Sequence, residues 1–357
     1  MAGTDILIPT MKRILRNGLF FLDYPQGDIL SAGFIIMFLT MVSGLFGIIR
    51  NRLLTSFFTD DLRGIYFSSF VIPDNIFQIL FVSAVGAAFI PVFTKYQKQQ
   101  HQWEFTTALL QISLLLFLII TVIVLIFLEP LSSMIVPGVQ KEEPGHIALF
   151  MNLTRIILLS QAFFVFSYLC SGILQSYQRF LIPALSPIFY NLGIIIGTIL
   201  LAPRFGMYGV GIGIIAGACA HLLVQLPFVL RLGFRLWLVP RLFHSGVREL
   251  GILMTPRALS IGIERAKITI DTLLASLVSL GSIGFLNFAT QIATFPVTLF
   301  GSAIAQAAFP FLAKAAGNGN MEEFKKQMVM SLTHMAFFIA PASVLLMILH
   351  TPIVRII

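Results

Sequence analysis

The sequence predicts an all-α polytopic membrane protein. Of its 357 residues, 57% are hydrophobic and 11% are charged, with 35 phenylalanines, and the mean hydropathy is +0.94. Soluble domains carry about 25% charged residues. The apolar residues fall into windows long enough to cross ~30 Å of hydrocarbon as helices. These windows predict nine membrane spans, at residues 33–58, 65–94, 105–128, 147–173, 180–202, 207–230, 249–280, 283–313 and 328–349.

The connecting segments predict the orientation. Lysine and arginine concentrate in alternate loops, which places those loops and the N-terminus in the cytoplasm, whereas the acidic segment 129–146 lies outside. The basic loops are 95–104, 175–180, 231–249 and 314–326. Because these loops account for the net charge of +8, we expect the membrane, and no nucleic acid, as a partner.

The spans divide the chain into four predicted parts. They are an amphipathic cytoplasmic segment at 1–30, a six-helix lobe at 31–230, a basic linker at 231–248 and a partial second lobe at 249–357. Transporters are commonly built from two repeated bundles. Six helices followed by three therefore predict that the sequence is a fragment of a longer protein.

The sequence carries no pattern typical of an enzyme. It has no phosphate-binding loop, zinc signature or Ser-His-Asp combination, so we expect neither catalysis nor a cofactor or metal. Cys170 and Cys219 lie within apolar spans and are predicted to pack as small hydrophobic residues.

Two arginines near the end of the first span are its most informative residues. A guanidinium stays charged, and at bilayer depth it costs at least ~2.5 kcal/mol unless it faces water, a counter-charge or an anionic ligand. Arg52 lies about 200° around the helix from Arg50, so the two cannot face the same wall. We expect Arg50 to be functional and Arg52 to extend towards the headgroups or a structural partner.

The seventh span carries the densest set of charges. Arg257, Glu264, Lys267 and Asp271 fall within roughly 80° of a helical wheel, and Arg265 points aside. Intrahelical ion pairs of Glu264 and Asp271 with Lys267 are possible at this spacing. The stripe is expected to face the bundle interior or a wet cavity. It either only orients the helix, or it supplies anion ligands together with carboxylates for ion or proton coupling.

Small and polar residues in the sixth span predict close helix packing. Gly209, Gly213 and Gly217 recur at four-residue steps, which is a small-xxx-small face. His221 and Gln225 lie one turn apart and are expected to bond neighbouring helices rather than a ligand. Prolines in or at the ends of spans predict helix bends. They are Pro73, Pro183, Pro187, Pro227, Pro296 and Pro310.

Several ordered motifs resemble the MurJ/MviN family of lipid II flippases. The stretch Ser43–Arg50 is similar to the family's first-helix motif, and similar segments follow in order to the end of the chain. They are Phe70–Asp74, Ala87–Phe93, Pro183–Gly193, Tyr208–Pro227, Asp271–Ser276, Gly281–Ile283 and Phe295–Gly301. Within these motifs, the resemblance assigns structural roles to Gly47, Pro73, Asp74, Pro91, Pro187, Asn191 and Pro296.

The resemblance implies a MATE-like fold, with two six-helix lobes around a central cavity. It implies a bacterial inner-membrane protein that moves the undecaprenyl-diphosphate-linked peptidoglycan precursor to the outer leaflet, with cell-wall synthesis proteins as partners. A cationic cavity suits a diphosphate headgroup. Candidate diphosphate ligands are Arg50, Arg257, Arg265 and Lys267, and candidate coupling groups are Glu264 and Asp271.

The chain also departs from the family pattern. Only Arg50 matches a cavity arginine of the family, whereas Gly44, Phe77 and Gln78 stand where further arginines are expected. In the eighth helix, Thr290 and Gln291 replace an Asp-Arg pair. The charges of the seventh span could compensate for the missing arginines.

Three other functions fit the pattern. A flippase for other polyprenyl-linked glycans would use the same cavity. A cation-coupled multidrug exporter would need an anionic cavity, and the sequence offers Arg50 no partner carboxylate in the first six spans. A non-transporting, degenerate homologue is favoured by the missing arginines and the incomplete second lobe.

Overall fold

The computed structural model describes the chain as a bundle of helices. The described residues are 29–82, 88–140, 144–234, 244–301, 304–305, 308, 312 and 319–356. Within them, eight helices are long and apolar enough to cross a membrane. Residues 1–28 of the predicted amphipathic segment, residues 235–243 of the basic linker and Pro310 lie outside the described residues, so the four-part division stays a prediction.

The first six spans contain eleven helices. They are α1 (Ile29–Phe57), α2 (Asp60–Ser68), α3 (Val71–Phe77), α4 (Ile90–Lys98), α5 (Gln102–Ile126), α6 (Leu128–Ile135), α7 (Pro137–Gln140), α8 (Pro144–Ser176), α9 (Leu181–Ile196), α10 (Ala202–Phe205) and α11 (Met207–Arg231). The following part contains α12 (Ser245–Val278), α13 (Leu280–Pro296), α14 (Met321–Ile348) and α15 (His350–Ile356). Single π-helical turns extend α3, α9 and α13, at Gln78–Val82, Gly197–Leu201 and Val297–Gly301.

Eight of the nine predicted spans match an apolar helix, and the seventh differs. It forms the 34-residue helix α12, but its charges between Arg257 and Asp271 keep it out of the apolar set. The second predicted span, 65–94, covers the apolar segment that ends at Val82 and the start of α4, and residues 83–87 between them lie outside the described residues. The acidic segment predicted as a loop contains α6 and α7, whose prolines lie in the first turn, where proline is tolerated.

Glycines bring α9 and α11 into close contact. A Cβ atom on Gly213 would lie 2.7 Å from the Gly193 carbonyl oxygen and 2.9 Å from the Gly197 Cα. Gly217 packs as closely against the backbone of Tyr190. The glycine face predicted for the sixth span is therefore confirmed, and its partner is the fifth span. Cys170 is buried in an apolar cluster with Phe77 and Phe228, and both cysteines are free thiols.

Large apolar side chains cover the outside of the bundle. On α5, Leu118 and Ile126 are 60% and 69% exposed. Apolar surface on this scale is unusual for a soluble monomer and is expected against lipid.

One set of contacts, the glycine seam, closes the bundle at the end of α12. It consists of Gly64 of α2 against the Leu280 carbonyl and Gly138 of α7 against the Ser276 carbonyl. At both glycines an added Cβ would overlap the facing backbone. Arg63 lies beside this seam, with its guanidinium 5.7 Å from the Phe288 ring centre.

A second set, the polar seam, lies at the start of α12. Lys95 Nζ of α4 lies 2.8 Å from a carboxylate oxygen of Glu249, and Tyr96 Oη lies 2.9 Å from Ser245 Oγ. At ~1.5 Å of rise per residue, α12 is about 50 Å long. The two seams thus join the first six spans to the following part at opposite ends of one helix.

Candidate substrate cavity

Two adjoining cavities lie between the first six spans and the following helices. The larger, of about 870 Å³, is lined by α1, α8, α9, α13 and α14. The smaller, of about 350 Å³, is lined chiefly by α2, α3, α8, α9 and α13, with Arg50 from α1. Tyr168, Pro187, His221 and Gln291 line both cavities. The two cavities therefore form one continuous candidate site.

Arg50 faces the smaller cavity and is fixed by neutral amide groups. Its Nε and Nη2 donate to Asn51 Oδ1 at 3.2 and 3.1 Å, and its Nη1 donates to Asn191 Oδ1 at 3.1 Å. Among the described residues, no carboxylate forms an ion pair with it. The guanidinium is therefore held in place without an ion-pair partner among the described residues, so its positive charge stays available to an anionic ligand.

Asn51 connects this arginine to the second part of the bundle. Its side chain is 3% exposed, and its Nδ2 donates to Gln291 Oε1 of α13 at 2.9 Å. Asn191 in turn donates to the Pro187 carbonyl at 3.2 Å and lies 3.4 Å from Ser43 Oγ. Three helices, α1, α9 and α13, therefore determine where the Arg50 guanidinium lies.

The two arginines of the first span differ as expected. Arg52 is exposed and Arg50 is half-buried against the smaller cavity. The prediction that they face different environments is confirmed, because the helical repeat fixes their relative direction.

Asp74, predicted as a motif residue with a structural role, lies at the candidate site. It lines the smaller cavity together with Arg50. Among the described residues it forms no ion pair with Arg50, as expected for the first six spans. Its Oδ1 accepts a hydrogen bond from Gln161 Nε2 at 2.9 Å. Its position on a buried helix after Pro73 was the available signal.

The charges of α12 do not form the predicted inward stripe. Arg257, Glu264 and Lys267 are exposed, and Asp271 is half-buried. None of them lines either cavity, and among the described residues Lys267 forms no ion pair with Glu264 or Asp271. The reason is that these side chains lie on parts of the α12 surface that the described residues leave uncovered or only partly covered.

Arg265 differs from the other α12 charges. It was expected to point aside from the stripe, and it is half-buried on the side of Asp74, with which it interacts electrostatically. One turn further, Thr269 Oγ1 accepts a hydrogen bond from Asn75 Nδ2 at 2.8 Å. Arg265 is therefore the α12 cation placed nearest to the site chemistry.

His221 and Gln225 form the interhelical hydrogen bonds that were predicted. His221 Nδ1 lies 2.6 Å from Ser167 Oγ, and Gln225 Nε2 donates to the same oxygen at 2.7 Å. Ser171 Oγ donates to Gln225 Oε1 at 2.8 Å. These bonds join α8 to α11 at the wall of the cavities, which His221 lines.

The motif residues border the site or shape its helices. Gly47 lines the larger cavity and Pro187 lines both. Pro73 lies buried inside α3, and Pro296 is buried at the end of α13, each shortly before a π-helical turn. Pro91 starts α4. The residues that replace family arginines also lie here, with Gly44 on the larger cavity and Phe77 and Gln78 on the smaller.

Comparison with known proteins identifies the family. A family model described as lipid II flippase MurJ matches residues 53–357. The chain belongs to the MurJ family. It is 29% identical over 327 residues to a probable lipid II flippase MurJ of Buchnera aphidicola subsp. Acyrthosiphon pisum, covering 89% of the chain. It is 25% identical over 324 residues to lipid II flippase MurJ of Burkholderia cenocepacia, covering 88%. The chain spans 63% of the length of each of these relatives.

Solved structures show the same fold. A lipid II flippase MurJ in an inward closed conformation superposes with a TM-score of 0.73 at 22% identity, covering 90% of this chain and 67% of that one. An inward-facing multidrug resistance MATE transporter of the MOP superfamily gives a TM-score of 0.65 at 15% identity, covering 91% and 75%. The MATE-like fold inferred from the sequence motifs is confirmed, and the protein is a multi-pass helical membrane protein.

Proposed function

We propose that the protein acts in flipping lipid II, the undecaprenyl-diphosphate-linked peptidoglycan precursor, to the outer leaflet of the bacterial inner membrane. The proposal is supported by membership of the MurJ family and by relatives that carry this name. In this proposal the N-terminus is cytoplasmic, the polar seam lies on the cytoplasmic side and the glycine seam lies outside.

The observation that carries the proposal is the environment of Arg50. Its guanidinium faces a cavity in the middle of the bundle and is held by the amide oxygens of Asn51 and Asn191. A diphosphate carries at least two negative charges, and charge-assisted bonds to an oriented guanidinium are the strongest available to it. Arg50 is the proposed diphosphate ligand, and alternation of the two seams would expose the cavity to each side in turn.

The charges of α12 have secondary roles in this proposal. Arg265, on the side of Asp74, is the second proposed cation. Arg257 and Lys267 as further ligands, and Glu264 and Asp271 as coupling groups, remain sequence-based hypotheses. Cell-wall synthesis proteins as partners remain a hypothesis of the same kind.

The experiment compares Arg50→Ala with Arg52→Ala in proteoliposomes that carry fluorescent lipid II. We expect Arg50→Ala to lower the transfer rate at least tenfold, because the diphosphate loses its oriented charge. Arg52→Ala removes the same charge two residues away, from an exposed position, and should retain most activity. Equal transfer by the wild type and Arg50→Ala would remove Arg50 from the mechanism.

A further inference from the structure

The two cavities contain one carboxyl group. Among their described lining residues, Asp74 is the single carboxylate, and Arg50 is the single arginine or lysine. The Asp74 carboxylate accepts one side-chain hydrogen bond, from Gln161, and forms no ion pair with any described residue. A carboxylate in such a setting is costly to keep ionised within a membrane protein.

The partner of Asp74 can serve either protonation state. Gln161 is 4% exposed, and its Oε1 is buried without a hydrogen-bond partner while its Nε2 donates to Asp74. If Asp74 is protonated, a half-turn of the amide lets the new O–H donate to Oε1. An amide carries both a donor and an acceptor, whereas a lysine ammonium could only donate.

The surrounding charges make protonation of Asp74 depend on a bound anion. Arg50 lines the same cavity, and Arg265 acts on Asp74 from α12. Two guanidinium groups favour the ionised carboxylate and disfavour any added cation, a proton included. A headgroup anion beside Arg50 offsets this effect, because like charges in a site disfavour the ionised carboxylate.

We propose that Asp74 is a protonation site that takes up a proton when an anionic lipid diphosphate binds beside Arg50. This inference rests on the proposed function for the identity of the anion. Because linkage is reciprocal, protonation of Asp74 strengthens anion binding by the same factor by which the anion favours protonation. Binding therefore tightens as the pH falls through the Asp74 titration and weakens as it rises.

Other titratable groups face Asp74, and one of them could imitate it. They are Arg50 on α1, Tyr66 on α2, Tyr168 on α8, Tyr190 on α9, His221 on α11 and Arg265 on α12. Arginine and tyrosine do not ordinarily change charge between about pH 5 and 8, but histidine does. His221 therefore needs its own variant in the test.

The test measures proton uptake during binding of farnesyl diphosphate to the purified protein in nanodiscs. Calorimetry in two buffers with different ionisation enthalpies gives the number of protons taken up. The wild type should take up as much as one proton more than Asp74→Asn. As the pH rises, the affinity of the wild type for farnesyl diphosphate should fall relative to that of Asp74→Asn, by up to about tenfold per pH unit.

Two matched variants complete the test. Asp61→Asn makes the same change at an exposed carboxylate outside the cavities, and His221→Gln removes the competing titratable group. Both should take up protons like the wild type. Equal proton uptake by the wild type and Asp74→Asn would overturn the proposal. So would a His221→Gln variant whose uptake falls to the level of Asp74→Asn.

An infrared titration separates this inference from the proposed function. With ¹³C-aspartate labelling, the ligand-free wild type should show a protonated carboxyl band that grows as pH falls and is missing in Asp74→Asn. If farnesyl diphosphate binds to no variant, the proposed function fails while the band still identifies the protonation site. Absence of an Asp74-dependent band between pH 4 and 9 would overturn the inference even if the diphosphate binds.

Discussion

Asn51 on α1 and Gln291 on α13 share a 2.9 Å hydrogen bond that joins the first span to the eighth. The same Asn51 side chain accepts two hydrogen bonds from Arg50 through its other atom. A single neutral amide thus orients the cavity arginine and ties it to the second part of the bundle. Because no charge is cancelled, the arrangement keeps Arg50 available to an anion.

Replacing Asn51 with aspartate should weaken the site while keeping the number of heavy atoms in it. The new carboxylate would form an ion pair with Arg50 and would lack the donor to Gln291. We expect Asn51→Asp to weaken diphosphate binding roughly tenfold or more, because the new carboxylate competes with the diphosphate for the guanidinium. Titration calorimetry with farnesyl diphosphate measures the affinity of each variant.

The matched control for this variant is Asn152→Asp. Asn152 Oδ1 also accepts a hydrogen bond from an arginine, Arg155, at 2.7 Å, but this pair is exposed and lies outside both cavities. Its change should leave binding within twofold of the wild type. Equal weakening by both aspartates would show a general charge effect and refute the specific role of Asn51.

The contact between α9 and α11 should not tolerate a methyl group. In Gly213→Ala the new Cβ would lie 2.7 Å from the Gly193 carbonyl oxygen, so the helices must separate. Overpacking of this kind costs about 1–3 kcal/mol, which should lower the unfolding temperature in detergent. Gly262→Ala on α12 is the control, since nothing lies within 4 Å of its Cβ position. An unchanged unfolding temperature for Gly213→Ala would contradict the packing.

The buried hydrogen bonds between α8 and α11 should contribute to stability. Gln225 is 0% exposed and bonds to both Ser167 and Ser171. Gln225→Leu removes one hydrogen bond from each of the two serine hydroxyls, which costs about 0.5–1.5 kcal/mol per bond. Reversible unfolding in mixed detergent measures the loss. Gln99→Leu, at an exposed position, should change it little; similar losses in both would argue against the network.

The polar seam should depend on pH at the alkaline end. The hydrogen bonds from Lys95 to Glu249 raise the pKa of the Lys95 ammonium above its ordinary 10.5. A raised pKa means that the contact is fully present below 10.5 and is lost as pH rises through the higher value. NMR of ¹³C-methylated lysines should show the Lys95 pKa falling towards 10.5 in Glu249→Gln. Glu322→Gln, on α14, should leave it unchanged, and a Lys95 pKa insensitive to Glu249→Gln would exclude the pairing.

The sequence predicted directions along each helix better than partners across the bundle. The helical repeat separates Arg50 from Arg52 and places three glycines of the sixth span on one face, and the structure confirms both. The sequence alone carries no information that Gly193 and Gly197 supply the opposing face. Nor does it show that Asn191, 141 positions from Arg50, completes the arginine's bonding. Such contacts depend on tertiary packing.

Polar residues inside the membrane were the harder part of the prediction. Asp74 was predicted as a motif residue, and its proximity to Gln161 on α8 and Arg265 on α12 is invisible in one sequence. The charges of α12 are a second case. Their spacing predicts a common face, but spacing alone does not say where that face points, and Arg257, Glu264 and Lys267 are exposed among the described residues.

The two seams at the ends of α12 should respond to different surroundings. In the glycine seam, backbone meets backbone at Gly64 and Leu280, so it can part only when whole helices move. It is insensitive to dissolved ions but open to influence from the lateral pressure and thickness of the bilayer. The polar seam depends on the exposed side chains of Lys95 and Glu249, which dissolved salt screens. Lipid composition should therefore govern access at one end of the helix, and the aqueous medium should govern it at the other.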